Sequence, residues 1–275
     1  MTAVDPRPTA DAPVRSGGTL GIVFALVRSQ LRILRNDPWF LVTMSGMTLV
    51  VMPLFSRTMG LSLQADGYAD ATGAEQVVPG QVVLFGFFVA GSAGFVVFRE
   101  HGWKTWDRLR ASAAGGPTLL AGFGIPWVVI HTAWQCAMFA IGGLMLGLDV
   151  ALVAVPTIVA VAVGYSVVVI GLILFATATF RTVNQLQALQ NVGAMSLAGL
   201  GGAFVPPSQL PGWAQAVGPF TPTHWAMEGY RGALLDRATP VDVALELAIL
   251  FGAGLVLFVL AARRFRLDET KEFFA

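Results

Sequence analysis

Apolar runs too long for a soluble core set the fold of this chain before any other feature does. Six of them, at about 39–59, 79–98, 118–146, 151–180, 186–204 and 241–262, reach the roughly 20 residues that a helix needs to cross the hydrocarbon of a bilayer. Within lipid, each backbone N–H and C=O must be satisfied inside its own segment, which favours helices. The composition agrees: 12% of residues are charged and 55% hydrophobic, with a mean hydropathy of +0.70. A soluble domain carries about a quarter of its residues as charges. The sequence therefore predicts an all-α integral membrane protein with six transmembrane helices. A disordered tail, 1–19, precedes one membrane domain, 20–275. The tail has no apolar core that would make it a cleavable signal.

The charged stretches between the runs carry the next constraint. Residues 20–36 form a basic amphipathic helix: Val23, Val27, Leu31 and Leu34 share one face, and Arg28, Arg32 and Arg35 another. Such a helix suits the surface of a membrane. Each arginine would cost roughly 2.5–3.5 kcal/mol at mid-membrane, which excludes this segment as part of a span. Asn36, Asp37 and Pro38 break it. The densest charge lies at 99–112, where Arg99, Glu100, Lys104, Asp107, Arg108 and Arg110 surround Trp103 and Trp106. As a helix, Trp103, Trp106 and Leu109 make one apolar edge, and the stretch lies flat at the interface with its polar face turned to the cytosol. It also reads as a solvated loop, and charge alone does not separate the two.

Residues 205–236 differ from the rest. Pro206, Pro207, Pro211, Pro219 and Pro222 cut the segment into pieces too short to span, plausible half-helices falling at 210–217 and 223–234, with Trp213 and Trp225 among them. The pattern fits a re-entrant hairpin entering from the outer surface, or an ordinary outer loop. Orientation follows from charge. With the N-terminus inside, 14 of the 17 Lys and Arg residues fall on the inner side and only Arg57, Arg231 and Arg237 on the outer. The excess predicts both termini cytosolic in a multi-pass protein of the cytoplasmic membrane.

Polar residues inside the runs are few. His131 and Gln135 lie one turn apart, suited to a helix–helix hydrogen bond or to a pathway. Gln187, Gln190, Asn191 and Ala194 make a polar and small-residue stripe down the fifth run, fit for a dimer seam or a translocation path. Glu228 and Arg231 stand at i, i+3 and can pair. Nothing forms a catalytic set, and three histidines with a single cysteine, Cys136, give no metal-binding pattern. The only lysines, Lys104 and Lys271, follow Trp103 and Thr270, so no Gly-x-x-x-x-Gly-Lys phosphate loop exists.

From Leu20 to the end the chain resembles the type-2 permease family, the membrane subunits of ATP-binding-cassette exporters of the drug and polysaccharide type. The basic segments around Arg32 and around Arg99 to Ser112 carry part of the likeness, and Val78-Pro79-Gly80 another part. The rest lies in Gly202-Ala203-Phe204-Val205-Pro206, Leu210-Pro211-Gly212-Trp213, Pro222-Thr223-His224-Trp225 and Glu228-Gly229-Tyr230-Arg231. After the coupling segment the family's usual helix breaker is replaced by Ala113-Ala114-Gly115-Gly116-Pro117. The resemblance implies a connecting helix at 20–36 and a coupling helix at about 99–112 that docks on a separate ATPase subunit. Arg28, Arg32, Arg99, Glu100, Trp103, Thr105, Trp106, Asp107 and Arg108 would form that interface. Glu100 also reads as a helix-end charge in the headgroups. A re-entrant hairpin containing Pro206, Pro211, Trp213, Trp225, Glu228 and Arg231 is implied as well.

The same resemblance implies a dimer, of like or related permeases, with two nucleotide-binding subunits that hold ATP and Mg. The chain itself would be no enzyme and carry no cofactor, and its partners would be protein and lipid, not nucleic acid. The expected activity is export of a hydrophobic or amphipathic compound, a drug-like natural product (hence drug resistance) or a lipid. A glycan or lipid-linked polymer is the alternative cargo. An ion-coupled carrier would need an intramembrane carboxylate, for which Glu246 is the sole candidate.

Overall fold

The structure, a computed structural model, describes residues 19–103, 106, 115–265 and 271. Among them the chain is helical: α1 (Thr19–Asn36), α2 (Trp39–Ala65), α3 (Ala74–Gly102), α4 (Gly116–Leu146), α5 (Val155–Thr179), α6 (Val183–Leu200), α7 (Gly212–Val217), α8 (Pro222–Leu235) and α9 (Ala244–Arg264). The tail 1–18 and most of the coupling segment lie outside the described residues.

Among the described residues five helices are long and apolar enough to cross a membrane: α2, α3, α4, α5 with its preceding turn, and α9. The run at 186–204, taken from sequence as the fifth of six spans, forms α6 but is not among the five. Asn184, Gln185, Gln187, Gln190 and Asn191 lower its hydropathy. Other boundaries shift modestly. The second span begins at Ala74, so Pro79 lies within the helix, and the last begins at Ala244 because residues 240–243 form a turn.

α3 is the centre of the bundle. Of its apolar window 83% is buried, against 11% for α2 and 17% for α9, though all three are strongly apolar. In lipid, apolarity does not choose which helix is central; close backbone approach does. A Cβ on Gly91 would fall 1.1 Å from Gln190 Nε2 of α6, and one on Gly80 would fall 2.2 Å from the Ala203 carbonyl oxygen. α3 thus packs against α2, α4, α5, α6 and α8, while α5 makes its largest contact with α9. α1 lies against α4, with Leu26 seated over Gly122.

Local signals set the shorter elements. Thr182 and Gln185 form a reciprocal capping box at the start of α6, satisfying backbone donors there. Thr221 accepts from the His224 N–H at 3.3 Å, and Pro222 occupies the first turn of α8, where its missing N–H costs nothing. Between α6 and α8 the chain turns at Gly202 (φ 80°), passes a 3-10 turn at Pro207–Gln209, and forms α7 and a second such turn, Gly218–Phe220.

Candidate functional site

At one end of the bundle α3 delivers Arg99, Glu100 and His101 in its last turn. Trp103 and Trp106, one apolar edge by sequence, part company here. Trp103 is 58% exposed, whereas Trp106 is buried. The His101 ring stacks on Trp106 at 4.0 Å, and Phe265, just past α9, meets Trp106 edge-on at 5.8 Å. His101 donates from Nδ1 to the Val97 carbonyl at 2.9 Å, which fixes the ring. The Arg99 guanidinium lies 5.0 Å above the Trp103 ring. Lys271 reaches back to donate to the Phe180 carbonyl at 2.8 Å, with its ammonium 5.7 Å from the Phe98 ring. Sequence reasoning missed Phe265 and Lys271 as parts of this end because their partners are distant in the chain, and it gave His101 no role although its partners Val97 and Trp106 are near neighbours. Thr105, Asp107 and Arg108 lie outside the described residues.

Arg28, Arg32 and Arg35 are exposed on α1. The inward face is Leu26, Gln30, Ile33 and Leu34, while Leu31 and Phe24 point outward. α1 therefore has two apolar sides, one packed on protein through Leu26, Ile33 and Leu34 and one exposed at Phe24 and Leu31.

In the middle of the bundle His131 and Gln135 are fully buried and belong to one hydrogen-bonded knot. His131 Nε2 donates to the Gly86 carbonyl of α3 at 2.9 Å, leaving Nδ1 as acceptor, 2.8 Å from Ser166 Oγ of α5. Gln135 Nε2 donates to Ser166 Oγ (2.9 Å) and the Ala162 carbonyl (3.0 Å). Its Oε1 accepts from the Tyr230 hydroxyl of α8 at 2.9 Å. Tyr165 donates to the Val83 carbonyl at 2.9 Å. Four helices, α3, α4, α5 and α8, are thereby cross-linked through groups that would be costly if left unpaired in an apolar interior. Ser166 carried no sequence signal beyond being a polar group in an apolar run, and Tyr230 appeared only within the Glu228-Gly229-Tyr230-Arg231 motif.

The stripe on α6 divides. Gln190 and Ala194 are buried with Leu186 and Ala198 on the side facing α3, where Gln190 donates to the Phe88 carbonyl at 3.3 Å. Gln187 and Asn191 are exposed on the other side. An exposed amide face at this position is available to a second protein surface or to an aqueous path.

At the far end Arg231 is a hub. It donates to Glu228 Oε1 at 2.8 Å, to Gln76 Oε1 at 3.0 Å and to the Gly202 carbonyl at 3.1 Å, which also accepts from Gln76 Nε2 at 2.7 Å. The hub ties the start of α3, the turn after α6 and α8 together. Burial lowers the Arg231 pKa from its ordinary value, while the Glu228 carboxylate opposes that shift. The pair sits beside a polar cavity of about 620 Å³ that also contains Asp66, Asp242 and Glu246. Pro206 is buried, Pro211 leads into α7, and Trp213 is exposed. Trp225 donates from its indole to the Pro219 carbonyl at 2.7 Å, closing the angle between α7 and α8. Among the described residues no three His, Cys, Asp or Glu side chains converge as metal ligands.

The family described as ABC-2 type transporter matches residues 22–235. The chain belongs to that family, the type-2 permeases of ATP-binding-cassette transporters. Its members are transport subunits that normally work with an ATP-binding subunit, which places this chain among multi-pass membrane proteins. A comparison with curated proteins finds no match.

Proposed function

We propose that this chain is the membrane-spanning half of an ATP-driven exporter. It pairs with a second permease and two cytosolic nucleotide-binding subunits, which hold the ATP and Mg. The observation that carries this reading is the course of α3. One buried helix runs from the Arg231 hub at Gln76, past the Gly91–Gln190 contact with α6, to Arg99 and Glu100. A push on its charged end is therefore felt at the amide-bearing helix and at the far mouth together, since packed helices move as rigid bodies.

In this reading α6 is the sixth crossing. Its exposed Gln187 and Asn191 face the partner permease and line the path, because amides facing lipid would be unsatisfied. The segment from α7 to α8 is the re-entrant hairpin, entering from the outer side. Tyr230 supports this depth: it bonds Gln135, eleven residues before the end of α4, or about 16 Å at 1.5 Å per helical residue. Both termini and the coupling segment are cytosolic. The cargo is a hydrophobic or amphipathic compound, since the interior around the seam is apolar apart from a few amides. Those same amides are what a glycan or lipid-linked polymer would use, and they are the one feature favouring that second cargo class.

Co-expression with a candidate ATP-binding subunit tests the assignment. Replacing Glu100 and Arg108 with Ala is expected to lower co-purification and cargo-stimulated ATPase at least tenfold. An unchanged complex with an unchanged rate rejects the docking role.

A further inference from the structure

A cavity of about 480 Å³ lies between α1, the start of α2, the last turns of α3, and the start of α6, within the size range of small-ligand sites. Its walls are largely apolar, with Phe40, Leu41 and Phe95 prominent. Gln30, Asp37, Ser92 and Gln187 also line it, and two further residues bring hydrogen-bond donors. Among the described residues Arg99 Nε and Nη2 are buried without a hydrogen-bond partner, and the Trp127 indole N–H of α4 is likewise buried and unpartnered. Two residues lining this largely apolar cavity thus carry three buried donors that no described acceptor satisfies. Buried donors are rarely left so, and a buried guanidinium least of all.

We infer that this cavity binds the phosphate of an anionic phospholipid, with the guanidinium of Arg99 and the indole of Trp127 as its anchors. The side-on Nε and Nη2 pair of arginine matches two oxygens of a phosphate, a geometry lysine cannot reproduce. Trp127 supplies a third donor, and the acyl chains lie along Phe40 and Phe95. The exposed Arg28, Arg32 and Arg35 on the neighbouring α1 add a positive field that favours lipids of net negative charge. Among the described residues Asp37 is the one carboxylate lining the cavity; it is exposed and makes no hydrogen bond to Arg99 Nε or Nη2. A free inorganic phosphate would satisfy the donors and leave the apolar walls uncovered.

The site rests on the permease assignment only in placing these residues at the inner leaflet. Its consequence for that assignment is specific. Arg99 adjoins Glu100 and lies over Trp103, so a lipid held by Arg99 orders the coupling end from the membrane side.

The test is lipid retention by the chain alone in nanodiscs, measured by native mass spectrometry after release into detergent. Discs contain phosphatidylglycerol, phosphatidylcholine or an equal mixture. From mixed discs the wild-type chain should retain phosphatidylglycerol over phosphatidylcholine by at least tenfold. Arg99→Gln should abolish the preference, Arg99→Lys should keep part of it, and Trp127→Phe should weaken it several-fold. Thermal melting in phosphatidylcholine discs checks that each variant is folded; if Arg99→Gln is not, Arg99→Lys and Trp127→Phe carry the comparison. Absence of preference in the wild type, or an undiminished preference in the folded variants, overturns the proposal. Displacement of the lipid by millimolar inorganic phosphate also overturns it, since the site would then serve a free anion. No ATP-binding subunit is present, so failure here leaves the docking test standing, and failure of the docking test leaves this result standing.

Discussion

Gly80 shows how single residues hold this molecule. It ends the Val78-Pro79-Gly80 motif, and its absent Cβ makes room for the Ala203 carbonyl, 2.2 Å from where that atom would stand. Two motifs more than a hundred residues apart in the chain are thus two sides of one contact. Gly91 has an even closer neighbour, at 1.1 Å, but that neighbour is the end of the flexible Gln190 side chain. Gly80→Ala must displace backbone and should cost at or above the upper end of the about 1–3 kcal/mol typical of overpacking. Gly91→Ala needs only to swing an amide away, losing one interhelical hydrogen bond of about 0.6 kcal/mol. Melting temperatures in detergent should rank wild type, Gly91→Ala, Gly80→Ala in descending order. Equal melting of the two variants would mean that the turn at Ala203 yields as readily as a side chain. The sequence displays both glycines and cannot tell them apart, since what distinguishes them is the stiffness of the neighbour.

Helices divide in the same way between what is legible and what is not. Their existence and most of their ends are written in apolar runs, prolines and caps, as at Thr182 and Pro222. Their places in the bundle are not. α2 and α3 have mean hydropathies of 1.6 and 2.0, yet their apolar windows are 11% and 83% buried. Lipid is as apolar as a core, so the contrast that reveals a buried face in water is missing. α6 is the exception, because its amides give it a polar edge. Even there the stripe read from sequence mixes two faces, with Gln190 turned to α3 and Asn191 exposed. If the exposed face is the dimer seam, Asn191→Cys in a Cys136→Ser background should give a cross-linked dimer under mild oxidation in membranes. Phe251→Cys, exposed on the peripheral α9, should remain monomeric. The reverse pattern would move the seam to α9.

Over the whole molecule, three polar assemblies are strung along one buried helix: the Arg231 hub, the His131–Gln135 knot beside Gly86, and the aromatic end at His101 and Trp106. Charge asymmetry and the polar residues announced that such sites exist, whereas their alignment on α3 emerges only from packing. The proposed mechanism needs the Arg99 end in the cytosol, within reach of an ATPase. Trp103 is the reporter, being exposed at that end. In Cys136→Ser background, Trp103→Cys should react with a membrane-impermeant maleimide in inside-out vesicles and not in intact cells, with protection when the ATP-binding subunit is bound. Labelling of Trp103→Cys from outside intact cells would contradict the account.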